Sequence, residues 1–173
     1  RMLQEIFLES GWSDIILKPC VSGTARHTYK LHSGNISAHE MIFRELISVE
    51  SMMLQEFQEN VISQGEVAFI LFDGKFSHAM LKKAKPGDFR VHEDFGGLVQ
   101  EYLPAEDEIN FARNVVEICD PLPVYARVDA IWDNKNKLCV SELELIEPEL
   151  WFRFYPQAAE LFADALMKVA RWQ

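Results

Sequence analysis

Apolar and polar residues alternate along the chain from residue 124 to residue 145. Between 124 and 132 the apolar residues fall at every second position, and Arg127 and Asp129 occupy positions between them. A period of two is typical of a strand with one buried face. The polar loop 133–136 favours a tight turn, and the alternation resumes after it. The pattern therefore predicts a β-hairpin.

The charged face of this hairpin predicts a site for a metal ion. If Trp132 pairs with Lys137, then Arg127 lies opposite Glu142, with Asp129 diagonally across from it. The side chains on this face are Arg127, Asp129, Glu142 and Glu144. Hard divalent cations prefer oxygen ligands, and a guanidinium beside them can bind an anion. The alternative is a solvated sheet face, and a register one residue different would put Asp129 and the glutamates on opposite faces.

Helices and further antiparallel strands are predicted around the hairpin. A capping box at 37–40 predicts a helix that buries Ile42, Leu46 and Val49. An aromatic run at 151–155 is interpreted as apolar packing, with a part in an acceptor pocket as the alternative. The other predicted helices end near Gly11, begin at 104–108 and begin at Pro156, and the other predicted strands are 14–19, 29–31, 52–57, 67–72 and 75–82.

The composition narrows the class of protein. The 173 residues are 49% hydrophobic and 25% charged, as expected for one globular domain of ordinary size. No apolar run approaches the roughly 20 residues of a membrane span, and the net charge of -10 argues against nucleic-acid binding. Three widely spaced cysteines without a CxxC pair indicate reduced thiols and a cytoplasmic protein.

Two groups of cations suggest phosphate contacts. Lys18 ends a predicted strand, and the loop after it contains Ser22, Gly23 and Thr24, whose backbone N–H groups can hold a phosphate beside the lysine. The P-loop consensus is absent. The second group is Lys82, Lys83, Lys85 and Arg90. For the middle two lysines a solvated loop is the preferred interpretation.

Six short motifs follow one another along the chain: Gln55-Glu-Phe57, Gly65-Glu66, Lys82, Gly87-Asp-Phe-Arg90, Arg127-Val-Asp129 and Glu142-Leu-Glu144. This ordered set resembles the ATP-grasp family. The resemblance is strongest to the branch with the RimK and bacterial glutathione synthetase-type ligases and the D-cycloserine-forming ligase. It runs from about Asp14 to Leu166.

The resemblance implies an α+β ATP-grasp fold, with antiparallel sheets packed against helices and two lobes that hold a nucleotide between them. The small lobe would span about 14–57 and the large lobe about 58–173 of one domain, 1–173. Members of the family carry an N-terminal domain and an earlier phosphate-binding lysine, and neither is visible in a chain that opens at Arg1. We therefore expect the C-terminal nucleotide-binding part of a larger enzyme.

The resemblance also implies ATP and one or two magnesium ions as cofactors, with manganese as an alternative. The implied ATP-binding residues are Lys18 for the phosphates, Gln55, Glu56 and Phe57 for adenine, Glu66 for the ribose, and Lys82 or Arg90 for phosphates or an acyl phosphate. The implied catalytic residues are Arg127 and Arg90, and the implied metal ligands are Asp129, Glu142 and Glu144. Many relatives have Asn at the position of Glu144, so the acid adds a negative charge here.

The implied activity is the ATP- and magnesium-dependent joining of a small-molecule carboxylate and an amine through an acyl phosphate. Two alternatives stay open. The first is a nucleotide-binding module or fragment that is not catalytic on its own, and the second is a structural domain with a solvated acidic hairpin. The sequence leaves open the identity of the substrates and the oligomeric state, a homo-oligomer included.

Overall fold

The computed structural model describes residues 2–21, 23, 25–91 and 96–170. The chain divides into two compact units, Arg1–Gln58 and Glu59–Gln173. Each unit is built on one sheet, and every strand pair in both sheets is antiparallel. In the described residues, no helix combines the length and the apolar character needed to cross a membrane.

The first unit contains α1 (Leu3–Ser10), β1 (Asp14–Pro19), β2 (Tyr29–His32), α2 (Glu40–Val49) and β3 (Met52–Glu56). In the part of the unit that the structure describes, the helices pack on a three-stranded sheet of order β2-β1-β3. The sheet contributes Ile15, Leu17 and Leu31 to a core that also contains Leu3 and Phe43 from the helices. As predicted, the first helix stops at a glycine, and Gly11 takes the left-handed conformation, with φ of 69°.

The predicted capping box before α2 is wrong. Residues Ile36–His39 form a turn of 3-10 helix, and α2 begins at Glu40. The Glu40 carboxylate accepts a hydrogen bond from the Leu3 N–H at 2.8 Å, so it satisfies a donor at the start of α1 instead of one in its own helix. The predicted burial of Val49 is also wrong, because this residue ends the helix and is 75% exposed.

The second unit contains α3 (Asn60–Gln64), β4 (Glu66–Phe72), β5 (Lys75–Lys83), β6 (Leu98–Tyr102), α4 (Glu106–Glu117), β7 (Tyr125–Trp132), β8 (Leu138–Glu144) and α5 (Ala158–Ala170). Within the described residues its strands form a five-stranded sheet of order β6-β5-β4-β7-β8. Strand β6 and the short helix α3 were not predicted from the sequence.

Apolar side chains pack on both faces of this sheet, which explains the continuous apolar run of β4. One face forms the α4-side cluster, which comprises Val67, Phe69, Leu71, Ala79, Leu81, Ala112, Val116, Ala126, Val128 and Ala130. The other face forms the α5-side cluster, which comprises Ala68, Ile70, Phe72, Met80, Leu150, Trp151, Ala158 and Ala165. Burying a large apolar side chain contributes about 1.5–3 kcal/mol relative to leaving it exposed.

The face with the α5-side cluster changes from aromatic to charged along the strands. At one end Phe72 of β4 pairs with Tyr125 of β7. Toward the other end Ala68 pairs with Asp129, and Glu66 at the start of β4 pairs with Lys82 of β5. The candidate site therefore lies on a sheet face whose other half is a packed core.

Candidate active site

The hairpin of β7 and β8 forms, but its turn is longer than predicted. Trp132 pairs with Leu138 and not with Lys137. The Asp133 N–H donates to the Lys137 carbonyl at 2.8 Å, and Asn136 takes a left-handed conformation with φ of 58°. The loop therefore holds one residue more than the predicted turn, which shifts the register of the first pairs by one.

A bulge in β8 makes a second shift. The ladder slips by one residue between Asp129 and Ala130, and Ser141 is the extra residue. One shift exchanges the two faces of a strand and a second shift restores them. The resulting pairs are Asp129 with Glu142 and Arg127 with Glu144. The predicted pairing of Arg127 with Glu142 is therefore wrong, whereas the predicted shared face is confirmed.

The acidic triad of Asp129, Glu142 and Glu144 places one oxygen from each carboxylate within 4.8 Å of the others. In an octahedral magnesium site the ligand oxygens lie about 2.0–2.1 Å from the ion, hence about 3–4 Å apart. Asp129 is buried, Glu144 half-buried and Glu142 exposed. The oxygens of the triad therefore lie close to this spacing, and three carboxylates at this distance fit a hard divalent cation.

Two buried cations neutralise Asp129. Lys82 Nζ lies 3.1 Å from Asp129 Oδ2 and also forms an ion pair with Glu66. Arg127 donates to Asp129 from Nε at 3.1 Å and from Nη2 at 2.8 Å, and it also donates to Glu144. Asp129 is fully buried, and the two cations are 5% and 8% exposed. Buried charges of this kind are stable only when they are paired.

Burial and charge act in opposite directions on these groups. Burial raises the pKa of Asp129, and the contact with Lys82 opposes that rise. For Lys82, burial lowers the pKa, but Glu66 and Asp129 outweigh it and the net direction is upward. The pKa of Arg127 is raised in the same way by Asp129 against burial. Both cations therefore keep their charge, whereas the net direction of the Asp129 pKa is upward, and a bound dication would oppose that rise.

Ser141 belongs to this group, although no motif of the sequence selects it. Its Oγ donates to Glu66 at 2.6 Å, while Lys82 contacts the other carboxylate oxygen. Leu138 and Leu145 both pack on the α4-side cluster. In a regular strand, residues seven positions apart face opposite sides of the sheet, so the alternation must be broken between these two leucines. This change of parity is the signal that could have located the bulge.

Trp151 is the second residue that sequence reasoning missed. The Arg127 guanidinium lies over its ring, with 5.3 Å from Cζ to the ring centroid. The aromatic run was interpreted as apolar packing, and Phe152 and Tyr155 do pack on the α5-side cluster. Trp151 belongs to that cluster and contacts the buried cation as well.

Arg90 lies in the loop after β5, where it binds Asp88 at 2.7 Å. The hydrogen bond from Arg90 holds the pKa of the Asp88 carboxyl well below its usual range. The structure thus brings Glu66 and Lys82 together with Arg127 and the acidic triad, and it gives Arg90 a local acidic partner.

The remaining predicted residues lie in the first unit. Lys18 is half-buried on β1 and has no ion-pair partner in the part of the chain that the structure describes. Gln55 and Glu56 pair with β1, and the Phe57 N–H donates to the Asp14 carbonyl at 3.0 Å. The two hydroxyl residues of the predicted phosphate loop, Ser22 and Thr24, lie outside the described residues.

Comparison with known proteins relates this geometry to an enzyme family. No protein-family model matches the chain. The cycloserine biosynthesis protein DcsG of Streptomyces lavendulae is 30% identical over 163 residues, which cover 88% of this chain and 54% of the relative. The chain therefore spans about half the length of this curated relative.

Solved structures agree with that relationship. A crystal structure of the D-cycloserine synthetase DcsG has a TM-score of 0.79 and 25% identity, over 95% of this chain and 58% of that one. The ATP-grasp ligase PsnB, complexed with a phosphomimetic precursor, Mg and ADP, has a TM-score of 0.65 and 16% identity, over 94% and 50%. The D-alanine–D-alanine ligase of Bacillus anthracis, complexed with ATP, has a TM-score of 0.60 and 16% identity, over 93% and 53%.

The chain is a partial ATP-grasp-type domain. The expected α+β ATP-grasp fold is confirmed. The relatives that share this fold include ligases, two of them solved with a bound adenine nucleotide.

Proposed function

We propose that this chain is the nucleotide- and metal-binding part of an ATP-dependent carboxylate–amine ligase that acts through an acyl phosphate. The observation that carries the proposal is the convergence of the acidic triad with Arg127 and Lys82 on one sheet face. Three carboxylates suit magnesium, and adjacent cations suit the phosphate oxygens of ATP. The relatives support the same chemistry, because they include D-cycloserine synthetase and D-alanine–D-alanine ligase.

In the proposed reaction a substrate carboxylate oxygen attacks the γ-phosphorus of ATP, which gives an acyl phosphate and ADP. The amine nitrogen then attacks the carbonyl carbon and loses a proton, and inorganic phosphate leaves with the electron pair of the C–O bond. Negative charge on the phosphoryl oxygens must be stabilised in the first step, and little covalent work falls to the protein.

The acidic triad would hold one or two magnesium ions, with manganese as the alternative. When bound, such an ion neutralises phosphate oxygens and orients them. Arg127 is held on the same face by Asp129 and Glu144, and it would steady the transferring phosphoryl group. Lys82 is fixed by Glu66 and Asp129, so it presents a positive charge at a defined position.

The other roles rest on the resemblance together with local structure. Lys18 is proposed for nucleotide phosphates, which agrees with its lack of an ion-pair partner among the described residues. Arg90 is proposed for phosphates or the acyl phosphate. The adenine-binding residues are proposed as Gln55, Glu56 and Phe57, and the ribose-binding residue as Glu66. Three free cysteines agree with the proposed cytoplasmic location.

Calorimetric titration with ATP, with and without magnesium chloride, tests the proposal. We expect Asp129→Asn and Glu142→Gln to weaken magnesium-dependent ATP binding by at least about tenfold, since each removes a proposed charged metal ligand. Glu117→Gln, which removes an exposed acid at the end of α4, is the matched control for the change in net charge. Unchanged affinity in both site variants would show that the triad does not bind the metal–nucleotide complex.

A second candidate is a module that binds ATP without turning it over alone. It is favoured by the fact that the chain spans only 54% of its curated relative. Release of ADP by the purified chain above the rate of the Asp129→Asn variant would exclude it. Tight magnesium-dependent ATP binding without turnover would favour it over the ligase.

A further inference from the structure

We propose that Trp151 is the positioning residue that keeps Arg127 in place when a metal ion engages the acidic triad. This inference rests on the proposed function, because it assumes that the triad binds magnesium. It assigns a role in the reaction to a residue that the motifs of the sequence did not select.

Such a residue is needed because Arg127 and the metal ion would compete for the same carboxylates. Arg127 is held by Asp129 and Glu144, and these are two of the three proposed metal ligands. A carboxylate oxygen that coordinates the ion is no longer available to the guanidinium in the same way. Metal binding therefore weakens the ion pairs of Arg127 at the step in which its charge is required.

Trp151 supplies a contact that a metal ion cannot take. The guanidinium lies over the ring of Trp151, 5.3 Å from the centroid, and the two residues are 8% and 3% exposed. A cation over an indole face is attracted by the π-electrons, most strongly where water is excluded. The ring carries no ligand atom for a hard ion, so this attraction persists while the carboxylates rearrange.

The position of Trp151 is unfavourable for a residue that only fills the core. Its φ of 49° lies in the left-handed region, which is strained for a bulky side chain. Its buried indole Nε1 has no hydrogen-bond partner within the described residues, although a buried N–H normally has one. Phenylalanine would fill an apolar site without that unsatisfied donor, so the contact with Arg127 is the feature that accounts for an indole here.

The surrounding backbone holds the ring in this place. His78 Nε2 lies 3.0 Å from the Leu150 carbonyl, and because a carbonyl only accepts, the imidazole must donate. The Trp151 N–H donates to Glu149 at 2.7 Å. The Trp151 carbonyl accepts a hydrogen bond from the Phe154 N–H at 2.9 Å. The segment before and after the ring is therefore fixed to β5 and to itself.

The direct test is the Nε–Hε resonance of Arg127 in the ¹⁵N-labelled chain, assigned by its loss in Arg127→Lys. We expect an upfield ring-current shift in the wild type that survives saturation with magnesium chloride and ADP. Trp151→Leu should move the resonance downfield and broaden it when magnesium and ADP are added, whereas Trp151→Phe should retain part of the upfield shift. Trp132→Leu, on the same hairpin but packed on the α4-side cluster, is the matched control and should leave the resonance unchanged.

Turnover provides a second readout. In Trp151→Leu we expect kcat for ADP formation to fall about tenfold or more, with KM for Mg-ATP within about threefold, since the contact acts on the position of Arg127 and not on nucleotide affinity. In an Arg127→Lys background, Trp151→Leu should lower kcat little further, because the planar guanidinium that contacts the ring is already absent. Additive losses in the double variant would indicate a general structural role and would overturn the proposal.

The wild type alone can also overturn it, by losing the upfield shift of Arg127 when magnesium and ADP are added. This measurement does not depend on whether the leucine variant folds. A shift that persists in a chain that binds Mg-ADP but never turns over ATP would support the role of Trp151 and count against the ligase. The proposed role of Trp151 and the proposed ligase function can therefore be contradicted independently of each other.

Discussion

Asp129 is a charged residue with no exposed surface, and its neighbours are arranged accordingly. The effective cost of taking a carboxylate out of water is several kcal/mol, which only close opposite charges can offset. Lys82 and Arg127 meet that requirement from two neighbouring positions. Lys82 is therefore a structural counter-charge as well as a proposed phosphate ligand, and the two roles can be separated by measuring stability without nucleotide.

We expect Lys82→Met to lower the free energy of unfolding by about 3–5 kcal/mol, because it leaves Glu66 and Asp129 with too little positive charge in a buried site. Urea unfolding at pH 7 measures the loss. The raised pKa of Lys82 makes its contribution fully present below the ordinary lysine value of about 10.5, so neutral pH captures all of it. Lys83→Met, at the next position of β5 with a more exposed side chain, should change the free energy by less than about 1 kcal/mol.

A Lys82→Met protein as stable as the Lys83→Met protein would mean that Arg127 alone neutralises Asp129.

The contacts of single residues also show where reasoning from the sequence stops. The charged residues of the hairpin could be selected because strands alternate, whereas the contact of Trp151 with Arg127 joins positions 24 apart and leaves no local pattern.

At the scale of elements, the β7–β8 hairpin could be predicted in kind but not in register. Alternation identifies two strands and their faces, yet it fixes neither the number of turn residues nor the place of a bulge. Here the turn is one residue longer than predicted, and Ser141 is bulged where its hydroxyl binds Glu66 of β4. A contact outside the hairpin accompanies the bulge, and within the hairpin only the change of parity between Leu138 and Leu145 points to it.

Helix α3 holds the turn of the hairpin through Asn136. This residue combines a left-handed backbone conformation with side-chain hydrogen bonds to the helix. Its φ of 58° is left-handed, and its amide oxygen accepts hydrogen bonds from Asn60 and Gln64. We expect Asn136→Val to be less stable than Asn136→Gly by about 1–2 kcal/mol, because both lose the amide but only glycine tolerates this conformation without strain. Chemical unfolding of the two variants isolates the backbone contribution, and equal stabilities would contradict it.

At the scale of the molecule, the sequence marks most clearly the strands that bury most of their residues. The apolar run of β4 follows from apolar burial on two faces, whereas the alternation of β7 follows from apolar packing on one face and buried charges on the other. Strand β6 was missed because it lies at a sheet edge, is mostly exposed and has only Leu98, Val99 and Tyr102 as apolar residues. The short α3 was missed because none of its residues is buried, so no apolar stripe marks it.

His78 connects the sheet of the second unit to the segment that carries Trp151. It is 6% exposed, binds the Leu150 carbonyl at 3.0 Å and stacks on Tyr155 at 4.9 Å between ring centroids. Burial lowers the pKa of His78, while the bond to Leu150 and the charge of Glu101 oppose that change. The neutral imidazole is therefore the form that the folded protein favours.

This predicts a loss of stability on mild acidification. Since the folded pKa of His78 lies below the unfolded value of about 6.5, the unfolded chain binds more protons as the pH falls through that value, and stability is complete only above it. Carboxyl groups with lowered pKa, such as Asp88 and Asp133, lose their contributions only below about pH 4, so they do not add to this effect. Urea unfolding between pH 7.5 and pH 5.5 covers the relevant range.

His78→Gln keeps an amide N–H that can donate to the Leu150 carbonyl but removes the titrating group, so its stability should fall less over this range than that of the wild type. Asp129, whose raised pKa contributes with the opposite sign, is common to both proteins and cancels in the difference. His32→Gln removes an exposed imidazole of β2 and controls for loss of a histidine elsewhere. Parallel pH profiles for the wild type and His78→Gln would show that this buried histidine does not link folding of the sheet to protonation.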